Sequence, residues 1–213
     1  FIEDNYLYII MEYVEGYDLF KFVSSDQIDD KLLVLNIFTQ ISLTLEYIHS
    51  KDIIHADIKS ENIMLTKDGV AKLIDFGASC QKECYGIKGT MIYLDKKRLT
   101  ALTNAMSIRL NGNDKTTDIY SFGLLMLELI LQTQDYIGYF YGKNYDRDVL
   151  TQYNSVKKWY DEYEEKAIPI LKSKTEYYPI NEFVIEMINQ DPSKRPTAKN
   201  IVERLLQIEN NKF

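Results

Sequence analysis

The sequence of 213 residues predicts a mainly α-helical fold that carries only short β-hairpins. Three observations support this class: apolar residues recur every three to four positions over long stretches, strand-like runs are brief, and 46% of the residues are hydrophobic. No internal repeat and no Pro/Gly-rich linker divides the chain. We therefore expect one domain over residues 1–213.

The first elements in chain order are a short strand, a long helix and a hairpin. Residues Leu7 to Met11 form a β-branched and aromatic run that suits a strand. From Asp30 to about His49, one apolar face follows an acidic start, as in an amphipathic helix; this face is formed by Val34, Ile37, Phe38, Ile41, Leu45 and Ile48. Strands over Ile63–Thr66 and Ala71–Ile74 are expected to form a hairpin, because the pair Asp68-Gly69 supplies the positive φ of a tight turn.

The second half is predicted to be helical. Between Asp118 and Leu131 apolar residues cover every side of a helix, which is typical of a helix buried all round at the centre of a fold. Pro179 precedes another helical pattern, and Thr197 is predicted to be the N-cap of a last helix. The stretches Arg98–Thr117 and Gln132–Tyr178 carry no pattern beyond helices, and no site is predicted there.

Composition and charge exclude several classes of protein. The net charge of −7 argues against a general basic surface, so no nucleic-acid partner is expected. Two cysteines, Cys80 and Cys84, are too few for a disulfide framework; we expect them to be reduced and the protein to be intracellular, in the cytoplasm. The longest apolar stretch, Phe122 to Leu131, is interrupted by Glu128 and falls short of the ~20 residues that span a bilayer. No membrane segment is therefore expected, and the sequence leaves the oligomeric state open.

The chemically informative residues form two segments on either side of the predicted hairpin. The first is His55-Ala56-Asp57-Ile58-Lys59-Ser60-Glu61-Asn62, and the second is Asp75-Phe76-Gly77. They bring two carboxylates, an amide and a lysine to one edge of the hairpin. Phosphoryl transfer needs this set: oxygen ligands for metal ions, a base for the proton of the nucleophile, and a cation for the transferred group. Any one of these residues alone could belong to an ordinary polar turn.

In this order the residues resemble the hinge and large C-terminal lobe of a eukaryotic-type protein kinase, with the N-terminal lobe largely absent. The resemblance implies that Asp57 is the catalytic base and that Asn62 and Asp75 bind Mg²⁺. Lys59 matches the catalytic lysine that touches the γ-phosphate in the Ser/Thr branch, although a solvated loop lysine is the alternative. ATP and Mg²⁺ are then the expected cofactors, and a protein is the expected substrate.

The same resemblance predicts the nucleotide-binding residues. Met11-Glu12-Tyr13-Val14 is similar to a gatekeeper and hinge, in which the main chain of Glu12 and Val14 binds the adenine. Asp18 could reach the ribose, and Met64 would form the floor of the adenine pocket. The predicted cofactor-binding set is Met11, Glu12, Val14, Asp18, Lys59 and Met64.

Three further segments agree with the resemblance. The central helix beginning Asp118-Ile119-Tyr120-Ser121-Phe122-Gly123 is similar to the one whose first Asp anchors the backbone of the catalytic loop. His55 and Phe76 would stack above this helix. Asp191-Pro192-Ser193-Lys194-Arg195-Pro196-Thr197 resembles the segment that leads into the last helix of the lobe.

The departures from the family pattern matter as much. The chain begins at Phe1, just before the hinge, so the Gly-rich loop and the lysine and glutamate of the smaller lobe have no match, and we expect a piece of a longer protein. Asp95-Lys96-Lys97 stands where the family has Ala-Pro-Glu, and family members pair that Glu with the residue matching Arg195. Because Lys97 cannot make this pair, we expect Lys97 to point outward and Asp95 or another carboxylate to pair with Arg195.

Two functions are consistent with these residues. The first is an ATP-dependent Ser/Thr protein kinase that is active only when an N-terminal lobe is present, so the chain as given is expected to be inactive. The alternative is a catalytically inactive kinase-like scaffold or allosteric binding module. The four retained groups favour catalysis, whereas the absent N-terminal lobe and the departure at residues 95–97 favour the scaffold.

The resemblance implies an activation segment that contains Ser79 and Tyr85 and ends at Gly89–Leu94. Activity in a longer, active form of the protein should not depend on phosphorylation of this segment. Ala56 stands where many family members have an Arg that pairs with the added phosphate, and Ala cannot make that charge-assisted contact. Phosphatase treatment should leave the rate unchanged. A large loss of rate would contradict this prediction, unless another basic residue is shown to bind the phosphate.

Overall fold

The computed structural model describes residues 2–3, 6–23, 30–81, 83–85, 89–103, 109–111, 114–142 and 149–210. Its strands are β1 (Ile2–Glu3), β2 (Tyr6–Leu7), β3 (Gly16–Asp18), β4 (Ile53–Ile54), β5 (Ile63–Thr66), β6 (Ala71–Leu73), β7 (Cys80–Gln81), β8 (Glu83–Tyr85) and β9 (Arg109–Asn111). Its helices are α1 (Leu19–Val23), α2 (Lys31–Ser50), α3 (Lys96–Thr103), α4 (Thr116–Leu131), α5 (Tyr136–Tyr141), α6 (Val149–Ser173), α7 (Ile180–Met187) and α8 (Ala198–Asn210). The prediction of a mainly helical fold with short strands is confirmed.

Helix α4 lies at the centre of the core, as its sequence predicted. Every residue from Thr117 to Ile130 is buried, and the helix packs against α2, α5 and α7. Gly123 permits the close approach to α7, because a Cβ there would lie 2.8 Å from Met187 Cβ. A buried, well-packed helix of this kind is a rigid base for the polar residues at its N-terminus.

Helix α2 confirms the predicted amphipathic helix and its acidic start. The carboxylate of Asp30 caps the helix by accepting hydrogen bonds from the N–H groups of Leu32 (2.9 Å) and Leu33 (3.2 Å). Among the described residues, α2 is the helix long and apolar enough to cross a membrane. Its apolar face, however, contributes to the core and packs against α4, α8 and β6.

The predicted hairpin is present, and it belongs to a three-stranded antiparallel sheet in the order β3-β5-β6. Gly69 has φ +81° in the turn, so of the Asp-Gly pair only the glycine takes the left-handed conformation. Strand β3 adds to the sheet with Asp18 opposite Met64. The sheet thereby places Asp18, the residue predicted to reach the ribose, beside Met64 near the start of β5.

The strand predicted over Leu7–Met11 is mostly wrong. Only Tyr6 and Leu7 are extended in a ladder, opposite Ile2–Glu3, and residues 8–15 have no regular structure. The side chains of Ile9 and Ile10 are 72% and 83% exposed. A β-branched run forms a strand only where a neighbouring strand completes its hydrogen bonds, and no described residue does this for residues 8–11.

The expectation of reduced cysteines is wrong for Cys80, which is disulfide-bonded. Composition gives the number of cysteines but does not show whether the fold brings a thiol within bonding distance of a partner.

The Tyr-rich second half packs against the chain that precedes α3. Tyr160 OH in α6 donates to the main-chain O of Leu94 (2.7 Å), and Tyr136 OH donates to that of Ile92. Tyr93 OH donates to the buried carboxylate of Glu128 in α4 (2.6 Å). The aromatic residues of this region therefore hold residues 92–94 against the core.

The C-terminal helices begin where the sequence predicted. Helix α7 follows Pro179, and Thr197 caps α8 by accepting a hydrogen bond from the N–H of Asn200 (3.1 Å). Arg195, just before α8, is buried and forms an ion pair with Asp95 at 2.9 Å, with both side chains at most 1% exposed. Lys97 is half exposed and pairs with Asp114 at 2.9 Å. The predicted exchange of partners, with Asp95 on Arg195 and Lys97 outward, is confirmed.

Asp95→Ala should destabilise the fold far more than Lys97→Ala. Removing Asp95 leaves the buried Arg195 charge uncompensated, which costs about 3–5 kcal/mol, whereas an ion pair of an exposed lysine contributes at most about 1 kcal/mol. Urea unfolding of the two variants measures both. Equal losses of unfolding free energy would contradict the assignment of Asp95 as the essential partner.

Candidate functional site

The candidate site is built on one buried carboxylate, that of Asp118 in the first turn of α4. Asp118 Oδ2 accepts a hydrogen bond from the main-chain N–H of His55 (2.8 Å), and Oδ1 accepts one from that of Ala56 (2.9 Å). His49 Nε2, at the end of α2, lies 3.0 Å from Oδ2. The backbone of residues 55–62, the predicted catalytic loop, is thus joined to α2 and α4 at one side chain, as the resemblance implied.

These donors also determine the charge state of Asp118. Burial by itself raises the pKa of a carboxyl group, but the hydrogen bond and attraction from His49, with the N–H groups of His55 and Ala56, outweigh burial here. The pKa of Asp118 is consequently lowered from its ordinary value of 3.8. An ionised carboxylate at neutral pH is what both main-chain donors require.

His55 orients the start of the catalytic loop. Its Nε2 lies 3.0 Å from the main-chain O of Ile74, and its Nδ1 accepts a hydrogen bond from the N–H of Asp57 at 3.3 Å. These partners assign the neutral tautomer with the proton on Nε2. The ring also meets Phe76 edge-on, with centroids 4.9 Å apart, which confirms the predicted stacking of His55 and Phe76.

Asp57 lies in the middle of a hydrogen-bond network. Its Oδ1 accepts from both the N–H and the hydroxyl of Thr90, each at 2.9 Å. Its Oδ2 lies 3.1 Å from the donor Nδ2 of Asn62 and 3.2 Å from Lys59 Nζ. The side chain is 16% exposed, so its orientation is fixed while one edge remains reachable.

Thr90 is a site residue that the sequence analysis did not identify. Besides its two bonds to Asp57, its hydroxyl oxygen accepts a hydrogen bond from Lys59 Nζ at 2.9 Å. Gly89 makes this approach possible: its φ is +104°, and a Cβ there would lie 2.6 Å from the main-chain O of Ala56. The position of Thr90 directly after a glycine was the available signal.

Asn62 and Asp75 are the two residues that could hold a metal ion. The Nδ2 group of Asn62 donates two hydrogen bonds to Asp57, one to its main-chain O (2.8 Å) and one to its Oδ2. The Oδ1 atom of Asn62 is then the side-chain atom that can bind a metal ion. The main-chain O of Asn62 accepts from Ile74 N (2.9 Å), so Asp75 follows directly beside it. Asp75 is exposed, with a left-handed backbone (φ +59°) and Oδ1 bonded to Gly77 N.

This donor set fits Mg²⁺ with a phosphate ligand rather than a metal held by protein alone. The described residues contain no cluster of three His, Cys, Asp or Glu side chains arranged to bind a metal. Mg²⁺ commonly keeps several waters and binds one or two carboxylate or amide oxygens together with substrate phosphates. Asn62 and Asp75 offer that pair.

The predicted nucleotide-binding residues are brought together only in part. Asp18 and Met64 are cross-strand neighbours in the sheet, while Met11 is 76% exposed and Val14 is partly buried. Two of the acidic side chains already have partners: Asp18 bonds to Lys21 and caps α1, and Glu12 pairs with Lys72. The roles assigned to these residues remain predictions.

Comparison with known proteins identifies this arrangement. Residues 1–206 match the family model described as the protein kinase domain. A "Probable serine/threonine-protein kinase" of Clostridium perfringens (strain 13 / Type A) is 27% identical over 98% of the chain and 28% of its own length. The dual specificity protein kinase zak2 of Dictyostelium discoideum is 31% identical over 60% of the chain and 20% of its own length.

A third relative, the human ribosomal protein S6 kinase alpha-3, is 31% identical over 65% of the chain. The chain spans only 18% of that protein's length. In all three cases it corresponds to less than a third of the relative. The activity, substrates and partners of the whole protein are therefore questions for a proposal.

Asp118→Asn should destabilise the protein by about 3 kcal/mol at neutral pH, because Asn replaces one of the two accepting oxygens with an NH2 donor and leaves a buried main-chain N–H unpaired. Since folding lowers the pKa of Asp118, its contribution is present above the ordinary value of 3.8 and is lost as the pH falls through the folded value. The difference in unfolding free energy between wild type and variant should therefore shrink below about pH 4.

Urea unfolding at neutral pH and at about pH 3.5 checks this prediction. Asp161→Asn, at a side chain that is 67% exposed on α6, is the control and should show little difference at either pH. A deficit for Asp118→Asn that stays constant with pH would contradict the assigned ionisation.

Proposed function

Because the chain belongs to the protein kinase family, we propose that it forms the catalytic lobe of an ATP-dependent Ser/Thr protein kinase. In this proposal the longer protein supplies the lobe that covers the nucleotide, and the γ-phosphoryl group of ATP is transferred to a hydroxyl group of a protein substrate. The observation that carries the proposal is the network in which Asn62, Lys59 and Thr90 all bond to the carboxylate of Asp57.

Asp57 acts in this mechanism as the base. A substrate hydroxyl that approaches the exposed edge of its carboxylate donates a hydrogen bond and transfers its proton there. The substrate oxygen bonds to the γ-phosphorus as the bond from that phosphorus to the β–γ bridging oxygen breaks and ADP leaves. Thr90 and Asn62 fix both carboxylate oxygens before the substrate arrives. A base held in this way loses little rotational freedom in the transition state.

Lys59 stabilises the transferred group. Its Nζ is held between Asp57 Oδ2 and Thr90 Oγ1, with 21% of the side chain exposed. From this position the ammonium group can stabilise the negative charge that develops on the phosphoryl oxygens in the transition state. A lysine at this position supports a Ser/Thr rather than a Tyr substrate, as the resemblance implies.

Asn62 Oδ1 and the carboxylate of Asp75 would hold Mg²⁺ against the phosphates of ATP. When bound, Mg²⁺ neutralises charge on those phosphates and orients them for in-line transfer. The main chain of Glu12 and Val14 would bind the adenine, with Met11 beside it, Met64 beneath it and Asp18 near the ribose. Asp75 is exposed and is suited to a ligand that arrives with the nucleotide.

The alternative is a kinase-like scaffold without catalysis, and the sequence Asp95-Lys96-Lys97 is the observation that favours it. The buried pair of Asp95 with Arg195 weakens that argument, because it retains the connection between this segment and α8 despite the substitution. The complete network around Asp57 gives further support to catalysis. We therefore rank the scaffold second.

A radiolabelled-phosphate assay on the longer protein should show transfer to a protein substrate, and the 213-residue chain alone should show almost none. Asp57→Asn should lower kcat by about 10²–10⁴-fold through loss of the base. Asp75→Ala should reduce transfer to background, because a metal ligand is lost. Without its covering lobe, the isolated chain lacks several kcal/mol of transition-state stabilisation, at ~1.4 kcal/mol per tenfold in rate.

Asp161→Asn, an exposed carboxylate on α6, is the matched control and should leave the rate unchanged. Transfer by the isolated chain at the rate of the longer protein would refute the requirement for a second lobe. A longer protein that is inactive on every substrate, or insensitive to both site substitutions, would favour the scaffold.

A further inference from the structure

Arg98, in the first turn of α3, is a buried cation to which neither the motifs nor the proposed mechanism assign a role. It is 1% exposed and is among the largest fully buried side chains in the described structure. Isolated buried charges are costly, so a fully buried guanidinium indicates a specific set of partners. Some of those partners lie in the loop of residues 55–62, and others lie in the segments that begin α3 and α4.

Both terminal nitrogens of Arg98, Nη1 and Nη2, point at the main-chain O of Ala56, each at 3.4 Å. These distances are long for hydrogen bonds, so the contact is mainly an attraction between a full charge and a carbonyl dipole. The preceding peptide group is also fixed, because the Ala56 N–H donates to Asp118. Arg98 and Asp118 thus hold the residue directly before Asp57 from two directions.

The charge of Arg98 is balanced by four surrounding carboxylates, those of Asp118, Asp95, Asp57 and Asp114. Burial lowers the pKa of Arg98, while these four groups oppose the shift, and a guanidinium stays protonated. The main-chain N–H of Arg98 also donates to Asp95 Oδ1 at 3.0 Å. The guanidinium of Arg98 is therefore attracted both by Asp57 in the loop and by Asp95, the partner of Arg195.

Ala56 itself carries no charge, although many kinases place an arginine there. Its backbone is left-handed, with φ +70°, and its carbonyl O is the atom that approaches Gly89. A cation reaches this position from α3 instead of from the loop. No phosphate is needed to bring it there, because it is buried in the folded lobe.

We propose that Arg98 is a positioning residue that replaces the loop arginine: it holds the Ala56 carbonyl and so orients Asp57 without phosphorylation. This inference rests on the proposed kinase function for its effect on catalysis, but its effect on the loop is independent of that function. It explains how an Ala at position 56 is compatible with an ordered catalytic loop. It also couples the loop to α3, which follows the end of the activation segment.

The test compares Arg98→Lys, Arg98→Met and the double variant Ala56→Arg/Arg98→Met in the longer protein, with Lys96→Met as control. Lys96 lies on the same helix but is exposed and pairs loosely with Asp161 at 3.5 Å. Arg98→Met should lower kcat about 10–100-fold, as expected for a slightly misplaced base, with less than a threefold change in KM for ATP. Arg98→Lys keeps the positive charge but loses the two parallel N–H donors of the guanidinium. Its kcat should lie between those of wild type and Arg98→Met.

The double variant moves the cation to position 56, where the backbone already accommodates a Cβ. It should recover at least half of the lost kcat on a logarithmic scale. Hydrogen exchange, measured by mass spectrometry on the 213-residue chain, should be faster in residues 53–62 of Arg98→Met and unchanged in α4. Lys96→Met should match wild type in both experiments.

Unchanged kcat and unchanged exchange in a folded Arg98→Met would overturn the proposal. If Arg98→Met does not fold, the double variant decides between the two roles. Recovery of folding and of kcat in the double variant supports a positioning role for Arg98. If the double variant does not fold either, Arg98 has a structural role only and the proposal is overturned. If the wild-type longer protein transfers no phosphate, the kinase proposal fails, and the exchange data alone decide the role of Arg98.

Discussion

The buried carboxylate of Asp118 is the interaction on which the remainder of the site depends. It accepts hydrogen bonds from two consecutive main-chain N–H groups and contacts His49, and it lies in the first turn of the helix around which the core is packed. Burial makes these bonds strong and makes their loss costly, because water cannot replace them. The position of Asp57 relative to the core follows from this one side chain.

Other buried charged groups near Asp118 also lie beside groups of opposite charge, in pairs or in clusters. Asp95 joins Arg195, near the C-terminal helix, to the main chain of Arg98. The guanidinium of Arg98 in turn faces the loop that carries Asp57. Breaking one member of such a network leaves the others uncompensated. The departure at residues 95–97 from the family pattern therefore keeps a charge partner for Arg195.

The sequence predicted the elements whose signals are local. The buried helix α4, the cap at Thr197 and the order of the motif residues all follow from neighbours a few positions away. Several failures are long-range: residues 8–11 lack a partner strand among the described residues, and Thr90 and Arg98 lie 33 and 42 residues from the loop atoms that they contact. Spacing along the chain carries no information about such contacts.

The central claim is that this lobe presents a preformed catalytic loop and a pair of oxygens for a metal-bound nucleotide. A crystal structure of the longer protein with Mg²⁺ and a non-hydrolysable ATP analogue tests it most directly. The account predicts Asn62 Oδ1 and the Asp75 carboxylate at about 2.1 Å from Mg²⁺, with the bonds from Thr90 to Asp57 unchanged. A bound nucleotide with both side chains turned away from the metal, or with Asp57 released from Thr90, would contradict it.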